Sequence, residues 1–199
     1  MSKLGRTREL SMKAAVDRIH KAQSLLKRDR RQALAALNDL FRAGTVPKPP
    51  LDGRYIGKVV AIDLAPGLTS LVELIISIWM PWQGKRLAAT NAEGDNIFSR
   101  RSRLLARVVW PFYRELVDEG AETYRAFRFH TYVAPGRVDA DRQVLKIDYD
   151  RPSNPRWSIR PILDELVQVA DGHYLGKVHF KWWWGRWQLI AYFSLQEKP

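Results

Sequence analysis

Residues 171–180 read DGHYLGKVHF, and residues 52–60 have already read DGRYIGKVV. The shared word, Asp-Gly-x-Tyr-(Ile/Leu)-Gly-Lys-Val, admits two readings, a phosphate-gripping loop or a strand start. A phosphate loop needs Ser or Thr after the lysine and a helix opening there. Here Val59 and Val178 follow the lysines, and strand-like alternation continues. The word is therefore architectural. Asp-Gly is a turn dipeptide. After it Gly53, Tyr55 and Gly57 share one strand face, against Arg54, Ile56 and Lys58 on the other, and Gly172, Tyr174 and Gly176 repeat the pattern against His173, Leu175 and Lys177. Glycine inside a strand lets a sheet bend sharply or an aromatic ring lie across the backbone. Two such words predict equivalent corners of one closed sheet, neighbours across its closure.

Outward from the two words, most of the chain reads as strands and turns. GKRLAATNAEGDNIF (84–98) predicts two extended segments around a turn at Glu93–Asn96. TYRAFRFHTYV (123–133) and RQVLKIDYD (142–150) predict long strands joined by APGRVDAD, and YLGKVHFKWW and WQLIAYFSL predict the last pair, joined near Gly185. PILDELVQV (161–169), with proline near its start, reads as a short helix whose surface carries Asp164 and Glu165. LTSLVELIISIWM (68–80) reads as a core helix opened by Ser70-x-x-Glu73. It is interrupted by Glu73 and is shorter than the roughly 20 residues that cross a bilayer. Residues 100–118 are ambiguous, because Pro111 interrupts the helical pattern of RRSRLLARVVW.

At the front, Met12, Ile19, Leu26, Ala33 and Leu40 recur every seven residues, with Val16 and Leu37 on the same side. The stripe predicts two helices, or one long bent one, packed on the body of the domain or on a second subunit, with a break at KRDRR (27–31). Prolines 47, 49 and 50 end the helical part. The chain thus divides into a basic helical extension, 1–45, and a strand-rich domain, 50–199. The fold class is α+β, an antiparallel β-barrel preceded by N-terminal helices.

Composition narrows the function classes. The chain has 199 residues, no cysteine and a net charge of +12. Without cysteine there is no disulfide framework, thiolate metal site or cysteine nucleophile. With no secretory pattern at the start, a cytoplasmic setting is expected. Eleven Lys or Arg against four acidic residues in 1–42 concentrate the charge in the helices. That segment offers contact with an anionic membrane or a homodimer partner, while a solvated helix face is the plainer reading and nucleic acid is not an expected partner.

Several words resemble small calycin-like barrels, the lipocalins among them, and in particular a branch named for the motif G-x-W-x-G. Gly53-Arg54-Tyr55-Ile56-Gly57 is similar to that motif with Tyr in place of Trp. Trp82-Gln83-Gly84-Lys85 is similar to the family's W-x-G-K, Asp148-Tyr149-Asp150 to its M-x-Y-D, and ILDELVQVADGHYLG to its closing segment. The resemblance covers residues 50–195. It implies a barrel with an interior cavity for an apolar small molecule, and no settled reaction.

Within the strand YRAFRFHTYV, one face holds Tyr124, Ala126, Arg128, His130 and Tyr132. If that face points inward, Arg128, His130 and Tyr132 orient the polar end of a ligand, with Asp148 neutralising Arg128; if outward, they are surface residues. His179 paired with His130 would make a metal or haem site or an acid–base pair, but no spacing motif supports ligation, and no metal or cofactor is expected. Trp182, Trp183 and Trp184 cannot all line one pocket from a regular strand, so at least one lies outside or at a rim. No nucleophile elbow or H-E-x-x-H word is present. The leading expectation is a soluble barrel binding a hydrophobic or amphipathic small molecule such as a lipid, acyl or isoprenoid-like group. An enzyme isomerising or cyclising such a ligand through His130 or Tyr132, and an interaction module acting through the basic helices, are the alternatives.

Overall fold

The computed structural model describes residues 3–48, 50–63 and 82–197, with side chains from Met12 onward. Helices α1 (Lys3–Leu25) and α2 (Arg30–Ala43) precede β1 (Gly53–Ile62), β2 (Trp82–Ala88) and β3 (Glu93–Ser99). A 3-10 turn and α3 (Arg103–Val109) lead to β4 (Val117–Glu119) and β5 (Thr123–Pro135). Then follow β6 (Gln143–Asp148), β7 (Ile162–Ala170), β8 (His173–Lys181) and β9 (Trp187–Glu197). The strand order is β3-β2-β1-β9-β8-β7-β6-β5, antiparallel throughout, and β3 pairs back onto β5 to close an eight-stranded barrel. Short β4 adds to the other edge of β5.

The repeated word lies away from the closure, at the starts of the two strands that flank β9. Strand β9 lies between the two copies, pairing Leu195 with Gly57 on one side and with Tyr174 on the other. The rings of Tyr55 and Tyr174 meet edge-to-face at 5.6 Å. The glycines beside them are slots: a Cβ on Gly57 would lie 2.4 Å from the Trp82 ring, and one on Gly176 would lie 2.2 Å from the Phe193 ring. Both words are thus strand starts one strand apart rather than neighbours across the closure, and the second glycine of each admits an aromatic from an adjoining strand.

The two lysines of the repeat part company outside the barrel. Lys58 is exposed, whereas Lys177 is buried and bonded to Asp139 and Asn38. The cover comes from the helices. Ile19, Ala22, Leu37, Leu40 and Phe41 pack on the outward Val60, Val144, Val167, Leu175 and Tyr192, so the stripe from Ile19 to Leu40 lies on the barrel while Met12 and Val16 stay half-buried. The break at KRDRR is real, and Asp29 caps α2 by accepting from the Gln32 N–H at 2.9 Å.

Three sequence expectations change. PILDELVQV is strand β7, because both of its faces are covered and the period-2 alternation is masked. The β2–β3 turn is at 89–92 rather than Glu93–Asn96, and Gly94 sits inside β3 with the Phe129 ring 2.3 Å from where its Cβ would be. In 100–118 the helix is only α3, which stops before Pro111. The core helix expected at 68–80 lies outside the described residues. No helix among the described residues is long and apolar enough to cross a membrane.

The up-and-down order places the connections 100–122, 149–161 and 182–186 at one end of the barrel, called the upper end below, and the turns 89–92, 136–142 and 171–172 at the other.

Candidate functional site

Inside the upper half of the barrel lies a cavity of about 220 Å³. Its walls are mostly apolar: Val59, Phe98, Phe127, Ile162, Val178 and Phe193 among them. Lining residues on the upper rungs, including Ile162, Val178 and Ile190, are partly exposed, and Val59 is 39% exposed although its strand partner is the inward Phe193. Below, Tyr55, Tyr174, Leu166 and Leu195 fill the barrel.

Four polar side chains enter this apolar space from four strands or their ends: Lys85 from β2, Asn96 from β3, Tyr149 just after β6, and Asp164 from β7. Lys85 Nζ is 2.9 Å from Asp164 Oδ2, donates to Asn96 Oδ1 at 3.0 Å, and makes a short contact with the Tyr149 hydroxyl. Asn96 Nδ2 donates to Tyr149 OH at 3.0 Å and to the Phe127 carbonyl at 3.2 Å, and Trp82 Nε1 donates to Asn96 Oδ1 at 3.1 Å. The ammonium is also ringed by aromatics, with the centroids of Tyr149, Phe129, Phe193 and Trp82 at 5.0–5.5 Å.

Every donor here has an acceptor, but one acceptor is left over. Asp164 Oδ1 is buried and makes no hydrogen bond among the described residues. Burial shifts each group towards its neutral form. It lowers the Lys85 pKa and raises that of Asp164, with each partner's charge opposing the shift, and it pushes the Tyr149 phenol well above its usual range, assisted by the Asp164 charge. An ion pair next to an unpaired carboxylate oxygen in an apolar cavity is a built polar anchor.

The residues expected to orient a ligand are elsewhere. Gly94 pairs with Phe129 and Asn96 with Ala126, so Phe127 and Arg128 together oppose Asp95 in a bulge, with Phe127 at φ +56°. The bulge changes the phase of β5: Tyr124 and Ala126 point inward above it, Phe127 and Phe129 at and below it. Arg128, His130 and Tyr132 consequently point outward, which corrects the inward reading. Arg128 pairs with Glu93 at 2.8 Å, a carboxylate shared with Arg151. Asp148 does not meet Arg128; it accepts from Tyr132 OH at 3.2 Å on the outer surface. His130 and His179 are not brought together, since His130 is exposed beside Glu93 and His179 is buried beside Glu165. Among the described residues no three His, Cys, Asp or Glu side chains gather as a metal site would require.

Adjacent Asp164 and Glu165 serve opposite sides of β7. Glu165 faces outward under the 136–142 turn, where it binds Lys146, accepts from the Arg137 N–H at 2.6 Å, and lies 3.2 Å from His179 Nε2. Burial alone would raise its pKa; contact with His179, then Lys146 and the Arg137 N–H, more than offsets this and holds it at about 2. A carboxylate depressed in the folded state contributes stability above its unfolded pKa that is lost as pH falls towards the folded one. Glu165→Gln should therefore flatten the stability profile between about pH 4.5 and 2, where the parent protein loses roughly 3 kcal/mol from this group. Urea midpoints measured across that interval check it, and a parent profile no steeper than that of the variant would exclude the assignment.

Sequence reasoning treated Trp82 and Lys85 as family words and missed Asn96, Tyr149 as a site residue, and Asp164. The available signal was the pairing of a lone Lys and a lone Asp on inward positions, but the inward face of β7 could not be known while it read as helix.

No protein-family model matches the chain, and no curated protein matches it. Among solved structures, the chain is similar to the crystal structure of a protein from Thermomonospora curvata, with a TM-score of 0.51 and 16% identity over 92% of this chain and 99% of that one. At that identity the likeness concerns the fold alone.

Proposed function

We propose that the barrel binds a small, largely apolar, uncharged molecule that donates one hydrogen bond to Asp164. The carrying observation is Asp164 Oδ1, a buried acceptor without a partner on the wall of an apolar cavity. Buried polar groups are ordinarily satisfied, so this oxygen calls for a donor. An alcohol, phenol or amide N–H supplies one. A carboxylate would meet like charge, and Lys85 is already occupied by three partners. Size follows from volume: a cavity of about 150 Å³ admits benzene, so 220 Å³ suits roughly nine non-hydrogen atoms. A long acyl chain does not fit.

A catalytic reading has one observation in its favour, since a lysine and a carboxylate shifted towards neutrality in a cavity are groups able to exchange protons with a ligand. Binding is the common requirement of both readings. Native mass spectrometry of the purified protein, compared with its denatured extract, will reveal a retained molecule. In parallel, titration with 2-phenylethanol and with phenylacetate, followed by tryptophan fluorescence, should show the alcohol binding at least about tenfold more tightly, the equivalent of one hydrogen bond gained or one unfavourable charge contact avoided. Preference for the acid, or saturable binding of neither, refutes the reading.

A further inference from the structure

The upper end of the barrel concentrates apolar surface. Of the six large hydrophobic side chains more than two-thirds exposed among the described residues, five are in its connections: Leu104, Val108, Phe112, Trp157 and Trp183. Phe112 is 92% exposed, Trp183 84% and Trp157 76%, on three different loops. The loops are contiguous. Residues 109–113 and 153–156 share one depression, and Arg156 and Trp157 share the next with Lys181, Trp182 and Trp183. Trp183 is at the tip of the β8–β9 hairpin, held out by the turn at Gly185 (φ +86°) and by Trp182 stacked on Trp184.

Cations surround these side chains. Arg101, Arg107, Arg114, Arg156, Lys181 and Arg186 are exposed, and none has a carboxylate within ion-pair distance among the described residues. Of the nearby acids, Asp118 is engaged by Arg100 and Arg103, Glu119 by Arg54 and Arg125, and Asp150 by Arg160, while Glu115 accepts from Ser153 and Glu122 forms no ion pair among the described residues, so the cations outnumber the unengaged acids six to two. The result is a strongly positive, aromatic-tipped face.

We propose that this end docks on an anionic lipid bilayer, with Phe112, Trp157 and Trp183 at headgroup depth and the six cations against the lipid phosphates. Exposed apolar surface of this extent marks an interaction site. Tryptophan suits the bilayer interface, where its apolar ring and polar N–H are both accommodated. Each flanking cation adds attraction to an anionic leaflet. A second copy of the chain fits poorly, because face-to-face pairing would oppose six cations, offset only by Glu115 and Glu122, with the same set again. Single-stranded nucleic acid would use the aromatic faces but leave Leu104 and Val108 without a role. The interior cavity has its part-exposed rungs at the same end, so docking would bring it to a reservoir of apolar molecules, although the proposal stands without that cavity's ligand.

The test is co-sedimentation of the full chain with phosphatidylcholine vesicles with or without phosphatidylserine. Binding is expected only to the anionic vesicles and should weaken with salt. Phe112→Ser/Trp157→Ser/Trp183→Ser, all surface changes, should lower the partition coefficient about a hundredfold while leaving thermal unfolding unchanged. Lys13→Glu/Arg18→Glu, on the exposed surface of α1 where Val16, Ile19 and His20 lie against the lower-end residues Ile56, His173 and Gln196, should retain at least about a third of the binding, since those charges are at the other end of the barrel. Brominated lipids should quench the tryptophan emission of the unmutated protein, a reading independent of any variant. No vesicle association, loss of binding only in the helix variant, or tight binding of an oligo-uridine in its place would overturn the proposal.

Discussion

Lys85→Met is expected to destabilise the barrel by about 3–5 kcal/mol, the cost of leaving one member of a buried ion pair uncompensated. Methionine keeps most of the volume and flexibility of the lysine stem, so the ring of aromatics around Nζ still has something to pack against. What disappears is the cation at 2.9 Å from Asp164, together with the donors to Asn96 and Tyr149. Asp164, whose pKa burial already raises, responds by taking up a proton, and that limits the loss. The double variant Lys85→Met/Asp164→Leu removes both charges and should recover stability to within about 1–2 kcal/mol of the parent, because a well-packed apolar pair often replaces a buried ion pair without loss. Urea denaturation at neutral pH, with midpoints compared at unchanged slope, measures both. If the double variant regains stability yet no longer binds 2-phenylethanol, the pair is retained for its ligand. A single variant as stable as the parent would mean that Lys85 is not charged in the barrel, and the proposed anchor would go with it.

The sequence showed the frame of this barrel more clearly than its contents. Local chemistry accounts for the legible part. Asp-Gly turns, Gly-Tyr-Gly faces and the Asp29 break are each specified by residues next to one another in the chain. The site depends on events that neighbours do not specify. In β5, a single non-glycine residue in the left-handed region, Phe127, inserts a bulge and turns Arg128, His130 and Tyr132 out to solvent. Nothing in YRAFRFHTYV announces that change of phase. In β7, Asp164 and Glu165 are both buried because each meets a lysine, Lys85 within, from β2 across the barrel, and Lys146 without, directly opposite on β6. A strand covered on both faces loses its alternation, and adjacent carboxylates then look like a solvated helix surface. The polar anchor was hidden for the same reason that it is unusual, since it places charge where a barrel normally places apolar side chains.

The other large effect is expected at Gly84, in the word Trp-Gln-Gly-Lys. Gly84→Ala should cost about 3–6 kcal/mol, combining backbone strain of about 1–3 with overpacking of similar size. Its φ is +135°, a region that L residues rarely adopt, and an added Cβ would fall 1.9 Å from the Tyr55 carbonyl oxygen and 2.7 Å from the Gly57 nitrogen. Both obstacles are backbone, so neither can rotate away. Relief requires parting β1 from β2 where Ile56 pairs with Gly84, the last rung before the two strands separate. Gly53→Ala provides the comparison. It has φ +97° but nothing within 4 Å of its Cβ, so it should lose only the strain, about 1–2 kcal/mol. The consequence extends beyond stability, because Gly84 is also the point where the β2–β3 register shifts after Trp82. That shift leans Trp82 across Gly57 and sets Lys85 on the inward face, so parting the strands should move both walls of the cavity and abolish the fluorescence response to 2-phenylethanol. Gly53, at the far end of β1, should leave that response intact. Equal stability losses in the two variants would show that backbone strain alone selects glycine at position 84, and that the close approach of β1 and β2 is not what holds Lys85 opposite Asp164.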